Sequence, residues 1–204
     1  MEQIPSNNPM FDYLDVYYNI LDEMKQEMTS TEQTRSISRD FITQMIPHHQ
    51  AAVEMCENVL RYTVSESVST LAQTIIRQQT QGIAEMKDLL CSCGAVCNNC
   101  QEVCCYQRRN TQILNTMFSD MAHVSGVGVE QNFLREMVPH HEGAVRMSEN
   151  ALNFSFASRY APSCRISLQH KNRKSVRCSS YWRGWNSVQQ SPRRVYSGNP
   201  KNRF

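Results

Sequence analysis

Hydrophobic side chains recur every three to four positions along residues 64–90, which is the spacing of an amphipathic helix. The stripe contains Leu71, Ile75, Ile76, Gln79, Ile83, Met86 and Leu90. A second stripe runs through residues 40–60. There Met45, His48, His49, Ala52, Met55 and Cys56 fall within an arc of about 120° on a helix that turns about 100° per residue. The pattern predicts two helices and places two imidazoles on the buried face of the first.

The stretch MIPHHQAAVEM at 45–55 returns as MVPHHEGAVRM at 137–147. Residues 40–60 and 132–152, which are 92 positions apart, are identical at 11 of 21 positions. Upstream, ILDEMKQEM (20–28) matches ILNTMFSDM (113–121) with one residue of slippage. The chain therefore contains an internal duplication, and each copy begins with a helix carrying two Met and continues with a His-His helix.

The third helix of the first copy has no counterpart in the second copy as it is written. Residues 153–204 are rich in Ser and Arg and lack helical periodicity. In a neighbouring reading frame each codon takes the last base of one residue's codon and the first two bases of the next. At positions 171, 178 and 182 the genetic code leaves very few possible residues for these shifted codons. They give the residue types found 92 positions earlier, at Gln79, Met86 and Leu90. The stretch 162–183 can then be reread as PILQDIIATQKQEIRQMQQLLA. We interpret 153–204 as out of frame and expect it to be disordered; a genuine basic tail is the alternative.

Charge divides the chain at the same place. The 204 residues are 40% hydrophobic and 20% charged, which suits a globular protein with one full core or two small ones. All 19 acidic residues lie in 1–152 with 10 basic ones, and the other 11 basic residues lie in 153–204. A basic tail is typical of nucleic-acid binding. We expect no nucleic-acid partner unless this tail is genuine.

The start of the chain lacks a basic region followed by an apolar run, and no segment reaches the length of a membrane span. We expect a cytoplasmic protein without a membrane partner. Six of its nine cysteines crowd into one segment, at Cys91, Cys93, Cys97, Cys100, Cys104 and Cys105. In a reducing compartment such a cluster favours metal binding or redox chemistry over disulfides. The alternative is a loop of unengaged thiols.

The repeated motif has the chemistry of a metal ligand set. Imidazole binds Cu, Zn, Fe and Ni, whereas thioether sulfur prefers Cu(I). Met and His without nearby acids therefore point to copper, with zinc the weaker choice. The candidate ligands are His48, His49, Met45, Met55, His140, His141, Met137 and Met147. The alternative is a core in which Met fills irregular gaps and the His pairs are satisfied by hydrogen bonds.

Pro47 and Pro139 directly precede the His pairs. Inside a helix, each would deprive the carbonyl four residues earlier, on Thr43 or Arg135, of its donor. Alternatively, each marks the first turn of a helix. In both cases the proline is expected to play a structural role.

The motif also carries a family resemblance. Asp40-Phe41, the Met45 to Gln50 segment, Ala52 and Met55, followed by Ile75-Ile76, Gln79, Ile83 and Met86, resemble the family called domain of unknown function 305. The resemblance implies a ferritin-like helical bundle and a metal role, since the family includes copper-binding proteins. It covers about 11–90 and again 106–152. The chain departs from the family at Gly82, where the family usually has Glu.

A ferritin-like fold suggests di-iron catalysis, but that chemistry needs Glu-x-x-His on paired helices. Met45 and Ile46 stand three residues before the first His pair, and Met137 and Val138 before the second. No phosphate loop or nucleophile motif is present either. We therefore expect a protein that is not an enzyme.

The sequence as a whole predicts an all-α, ferritin-like antiparallel helical bundle made of two tandem repeats. Its parts are a tail (1–10), repeat one (11–90), a Cys-rich linker (91–105), an incomplete repeat two (106–152) and the basic tail (153–204). The expected function is binding of a soft metal ion, copper first, for sequestration or tolerance. A structural helical module, able to form a homo-oligomer through its repeats, is the alternative. A redox or zinc protein acting through the cysteine linker is a weaker one.

Overall fold

The computed structural model describes residues 8–92, 97–123 and 126–154, and these form five α-helices without a strand. In chain order the helices are α1 (Pro9–Ser30), α2 (Ile37–Leu60), α3 (Glu66–Ser92), α4 (Cys100–Ala122) and α5 (Val129–Leu152). The all-α prediction is confirmed. The reread helix at 162–183 and nearly all of the basic tail lie outside the described residues. Among the described helices, none has the length and apolar character needed to cross a membrane.

Polar side chains next to the starts of α1 and α4 explain where these two helices begin. The Asn8 side chain accepts a hydrogen bond from the backbone N–H of Met10 and caps α1. At α4, Asn99 and Glu102 form a capping box in which each side chain accepts from the other's backbone N–H. Because this cap starts α4 at Cys100 and α3 runs to Ser92, the connection is shorter than the predicted 91–105 linker.

The loop before each His-His helix is held in the same way in both repeats. In repeat one the Asp40 carboxylate accepts from the backbone N–H of Thr34 at 3.0 Å and from its hydroxyl at 2.6 Å. In repeat two the Asn132 amide oxygen accepts from the backbone N–H of Gly126. Both residue pairs occupy corresponding repeat positions, so the duplication extends to the tertiary contacts of the loop.

Short connections make α1 and α2 one antiparallel hairpin and α4 and α5 another, and the hairpins meet where α2 packs against α5. Helix α3 packs on α2. An approximate two-fold axis relates the hairpins. Asn58 donates from its side chain to the Tyr13 carbonyl, and Asn150 donates in the same way to the Tyr106 carbonyl. The largest fully buried side chains of the core are mainly Tyr and Met.

Pro47 and Pro139 lie inside α2 and α5, well beyond the first turn. The interpretation of these prolines as first-turn residues was therefore wrong. Each helix continues through its proline, which removes one backbone donor without ending the helix.

Candidate metal centre

The four motif histidines meet at the centre of the bundle, where α2 packs against α5. All are buried, with 4% exposure for His49 and 0% for the other three. The ring centroids lie 6.0 Å apart for His49 and His48, 3.6 Å for His48 and His140, and 5.6 Å for His140 and His141. The structure thus joins the imidazoles of both repeats in one continuous set of ring contacts.

His48 and His140, the inner pair, connect the two repeats. The His48 Nε2–H donates to the His140 carbonyl, and the His140 Nε2–H donates to the His48 carbonyl, both at 3.0 Å. A carbonyl can only accept, so each Nε2 carries a proton, and in the neutral ring Nδ1 holds the lone pair. The rings stack at an interplanar angle of 26°. These contacts give the inner pair a structural role across the interface.

His49 and His141, the outer pair, have the opposite tautomer. The His49 Nδ1–H donates to the Met45 carbonyl at 2.8 Å, and the His141 Nδ1–H donates to the Met137 carbonyl at 2.7 Å. In each neutral ring the lone pair is therefore on Nε2. A hydrogen bond at one ring nitrogen that fixes the tautomer of the other is the usual arrangement around metal-binding histidines.

The inner pair cannot chelate one ion in its stacked arrangement. An imidazole lone pair lies in the ring plane, and a metal–nitrogen bond is about 2.0–2.1 Å long. Two rings stacked 3.6 Å apart direct their lone pairs into nearly parallel planes, which do not converge on one point. The His48 and His140 rings would have to separate before they could bind a common ion.

Gly82 on α3 lies against the outer imidazole of repeat one. A Cβ built on Gly82 would stand 3.1 Å from His49 Cδ2 and 3.2 Å from His49 Nε2. These distances are tighter than ordinary van der Waals contact, so the glycine allows α3 to approach the ring closely. The one departure from the family pattern therefore falls beside the nitrogen that carries the His49 lone pair.

Thioether sulfur is abundant in the core that contains the histidines. Eight methionines are at most 2% exposed, four from each repeat: Met24, Met28, Met45, Met55, Met117, Met121, Met137 and Met147. Met86 on α3 is only partly buried. The Met117 side chain packs directly onto Gly143, where any Cβ would collide with its sulfur. The predicted placement of Met45 and Met55 on the buried face of their helix is confirmed.

The nature of these donors decides which metals fit the centre. Among the described residues, no group of three or more His, Cys, Asp and Glu side chains is arranged to hold a metal ion. The motif residues themselves offer imidazole nitrogen and thioether sulfur. Such a set suits Cu(I) and is poor for zinc, which takes thiolate, imidazole and carboxylate ligands.

The cysteine cluster is spread over the ends of two helices. Cys91, Cys97, Cys100, Cys104 and Cys105 are free and exposed, and Cys93 lies outside the described residues. Next to Cys97, Asn98 is buried and donates its backbone N–H to the Arg35 carbonyl at 2.8 Å. This contact ties the segment to the start of α2. The six-cysteine metal site stays a prediction.

Glu136 is a polar core residue that was missed by the sequence analysis, which took the motif to have no nearby acid. It is fully buried, and its Oε2 accepts a hydrogen bond from the Tyr13 hydroxyl at 2.5 Å. Burial raises the pKa of Glu136 to about 8, against a smaller lowering by the Tyr13 bond. The signal was present in the sequence, because Glu136 replaces the corresponding Gln44 and stands one helical turn before His140.

Fold and site together define a two-repeat helical-bundle protein with a buried centre of imidazoles and thioethers. The chain belongs to the family described as Domain of unknown function (DUF305), which matches residues 20–90 and 100–161. The two matched segments coincide with the two repeats and confirm the resemblance found in the sequence. Comparison with curated proteins and with solved structures gives no match.

Proposed function

We propose that the protein binds soft metal ions, Cu(I) above all, and serves in their sequestration or tolerance. The observation that carries this proposal is the tautomer of the outer pair. In each repeat a backbone carbonyl takes the Nδ1–H, so the neutral ring presents the lone pair of Nε2. That nitrogen belongs to a core rich in thioether sulfur.

Neutral ligands favour a singly charged soft ion. Imidazole and thioether bring no negative charge, so a buried divalent cation would lack compensation, whereas Cu(I) needs less. The one buried acid on α5, Glu136, has its pKa raised by burial to about 8 and is mostly protonated at neutral pH. It therefore adds little negative charge to the core.

The proposal gives different roles to the two histidine pairs. His49 and His141 act as ligands, together with Met45 and Met137 one helical turn earlier on the same face. Met55 and Met147 complete the candidate set further along each helix. His48 and His140 hold the repeats together.

We assign the protein a non-catalytic role in the cytoplasm. A reducing compartment keeps copper as Cu(I) and keeps exposed thiols reduced. Under this proposal the exposed cysteines near α4 act as a separate thiol site of weaker specificity.

A second candidate function is a purely structural helical module. The reciprocal bonds of the inner pair favour it, because they give the Nε2–H of each buried imidazole an acceptor without any ion. In this alternative all four histidines and the methionines only fill the core. The two functions predict opposite results when the outer imidazoles are removed.

A competition titration with a Cu(I) chelator distinguishes them. The titration is made in a background where every cysteine except the buried Cys56 is changed to Ser, so that exposed thiols do not compete. The changed residues are Cys91, Cys93, Cys97, Cys100, Cys104, Cys105, Cys164 and Cys178. His49→Asn with His141→Asn keeps an amide donor near the Nδ1 position but removes Nε2. His48→Gln with His140→Gln keeps a donor near the Nε2 position of the inner pair and serves as the matched control.

Loss of Cu(I) binding by at least about tenfold in the Asn pair, which is about 1.4 kcal/mol, supports the proposal. The Gln pair should retain most of the affinity. Equal affinity in the background protein and the Asn pair would instead remove the outer imidazoles from the site and leave the structural module.

A further inference from the structure

A polar cavity of about 230 Å³ breaks the two-fold symmetry between the two hairpins. It lies between the end of α1, the start of α2 and the middle of α4. Its lining includes Thr29, Asp40, Gln44, Tyr106, Asn110 and Thr111. The cavity is separate from the proposed metal centre, so a ligand bound in it would be independent of the proposed function.

The corresponding place in the other hairpin is filled by an aromatic side chain. With the one-residue slippage between the first helices of the repeats, Tyr17 on α1 corresponds to Asn110 on α4. Tyr17 is fully buried, and its hydroxyl donates to the Met121 carbonyl at 2.7 Å. A phenol ring therefore spans the distance between α1 and the end of α4.

On the cavity side, two amides make the connection that the phenol makes on the other side. The Asn110 side chain donates to Gln44 Oε1 at 2.7 Å, and the Gln44 side chain donates to the Met28 carbonyl at 3.1 Å. Met28 is the counterpart of Met121. The hydrogen bond to the end of the helix is thus retained, whereas the volume of the ring is not.

Two neighbouring positions on α4 have also lost bulk. Thr111 stands where α1 has Tyr18, and Gln107 stands where α1 has Leu14. Both α4 residues line the cavity. The cavity therefore results from several smaller or more polar side chains along one helix face.

The lining has the chemistry of a site for a hydroxylated ring. Tyr106 and Leu114 supply apolar surface, while Thr hydroxyls, amides and the Asp40 carboxylate supply acceptors. No basic side chain is among the lining residues. The amide oxygen of Asn110 is buried and makes no hydrogen bond within the part of the chain that the structure describes. A cavity of about 150 Å³ is enough for benzene, so this one has room for a ring with polar substituents.

We propose that this cavity binds a small neutral hydroxylated aromatic molecule, of the size of phenol or catechol, in the place that corresponds to the Tyr17 side chain. The ring packs on Tyr106 and Leu114, and its hydroxyl groups donate to the amide and carboxylate oxygens of the lining. The ligand fills the volume that the Tyr17 ring fills in the other hairpin and that Asn110 leaves open on α4.

The test is a binding titration of the full chain with phenol and catechol, followed by ligand-observed NMR. Asn110→Tyr restores the ring found in the other hairpin, and Thr111→Tyr narrows the cavity from its exposed edge. Thr116→Tyr adds the same ring to an exposed position outside the lining and is the matched control. If Asn110→Tyr does not fold, Thr111→Tyr carries the test.

We expect one binding site in the natural chain and in Thr116→Tyr, with binding weakened at least about tenfold in the two cavity variants. A folded Asn110→Tyr protein should also melt at a higher temperature, because its ring fills the cavity. Absence of binding to the natural chain, or equal binding by all four proteins, would overturn the proposal.

Discussion

His48 and His140 each donate the Nε2 proton to the backbone carbonyl of the other, at 3.0 Å in both directions, and their rings stack 3.6 Å apart. The two-fold axis between the repeats exchanges His48 with His140, so it maps this contact onto itself. The contact gives the Nε2–H of each buried imidazole an acceptor in the other repeat, at the point where α2 and α5 meet. The repeated His-His motif therefore first serves to join the repeats to each other.

Removal of one inner imidazole should destabilise the whole bundle. His48→Ala removes one of the two reciprocal hydrogen bonds and opens a cavity against the stacked ring. The lost hydrogen bond costs about 0.5–1.5 kcal/mol, and lost ring packing adds to it. We expect the free energy of unfolding, measured in urea, to fall by about 2–4 kcal/mol. His48→Gln, which keeps an amide donor, should cost clearly less, and equal losses in the two variants would rule out the hydrogen bond as the cause.

Glu136 should make the stability of the fold depend on pH. Its folded pKa of about 8 lies above the ordinary value of 4.5, so the folded state holds the proton more tightly than the unfolded chain does. The resulting stability is fully present below about pH 4.5 and is lost as the pH rises towards 8. The slope from this group is at most about 1.4 kcal/mol per pH unit.

Glu136→Gln isolates this contribution, because it installs the amide that repeat one has at Gln44. Burial also raises the pKa of Asp40 and of Glu54, so the natural chain contains other groups that act in the same direction. The difference in unfolding free energy between the variant and the natural chain should grow steadily from about pH 5 to about pH 8. Parallel pH profiles would show that Glu136 keeps an ordinary pKa in the folded protein.

Substitution of Gly82 should lower the affinity for Cu(I) more than the free energy of unfolding. An added Cβ would lie 3.2 Å from His49 Nε2, where the proposed metal–nitrogen bond forms. In Gly82→Ala we expect Cu(I) affinity to fall by about tenfold or more. The better helix propensity of Ala, worth up to about 1 kcal/mol, offsets part of the crowding in the unfolding free energy. Unchanged Cu(I) affinity in a folded variant would place the ion away from His49 Nε2.

The proposed shift of the reading frame after residue 153 can be tested on the DNA alone. DNA sequencing across the codons for 150–185 should reveal bases that spell PILQDIIATQKQEIRQMQQLLA in the neighbouring frame. The reason is the coincidence of three nearly forced residues with Gln79, Met86 and Leu90 of repeat one. An uninterrupted frame whose alternate reading is not this helix would establish the basic tail as genuine.

The helices could be predicted because their cause is local. Periodic apolar positions and the internal duplication identify α1 to α5 without any knowledge of contacts. The burial of Met45 and Met55, and of their counterparts Met137 and Met147, follows from the same stripe. The pairing of the histidines could not be obtained in this way. Residues 48 and 49 share one helix face in the sequence pattern, and only the crossing of α2 and α5 separates an inner from an outer ring.

The missed Glu136 shows a second limit of the sequence. Whether a carboxylate within an apolar stripe is buried cannot be predicted until its hydrogen-bond partner is known. Here that partner, Tyr13, is 123 residues away in the sequence. The duplication contained a signal, because repeat two has an acid, Glu136, at the position where repeat one has the neutral Gln44. The same comparison between repeats, applied to Tyr17 and Asn110, reveals the cavity between α1 and α4.

The most direct test of the proposed metal centre is the extended X-ray absorption spectrum at the copper K edge. The sample is the Cu(I)-loaded protein in which the six linker cysteines, Cys164 and Cys178 are changed to Ser, so that any sulfur around the ion comes from methionine or Cys56. The proposal predicts a first shell with both imidazole nitrogen and thioether sulfur, and loss of the imidazole signal when His49→Asn and His141→Asn are combined. A shell without imidazole, or a spectrum unchanged by those two substitutions, would contradict it.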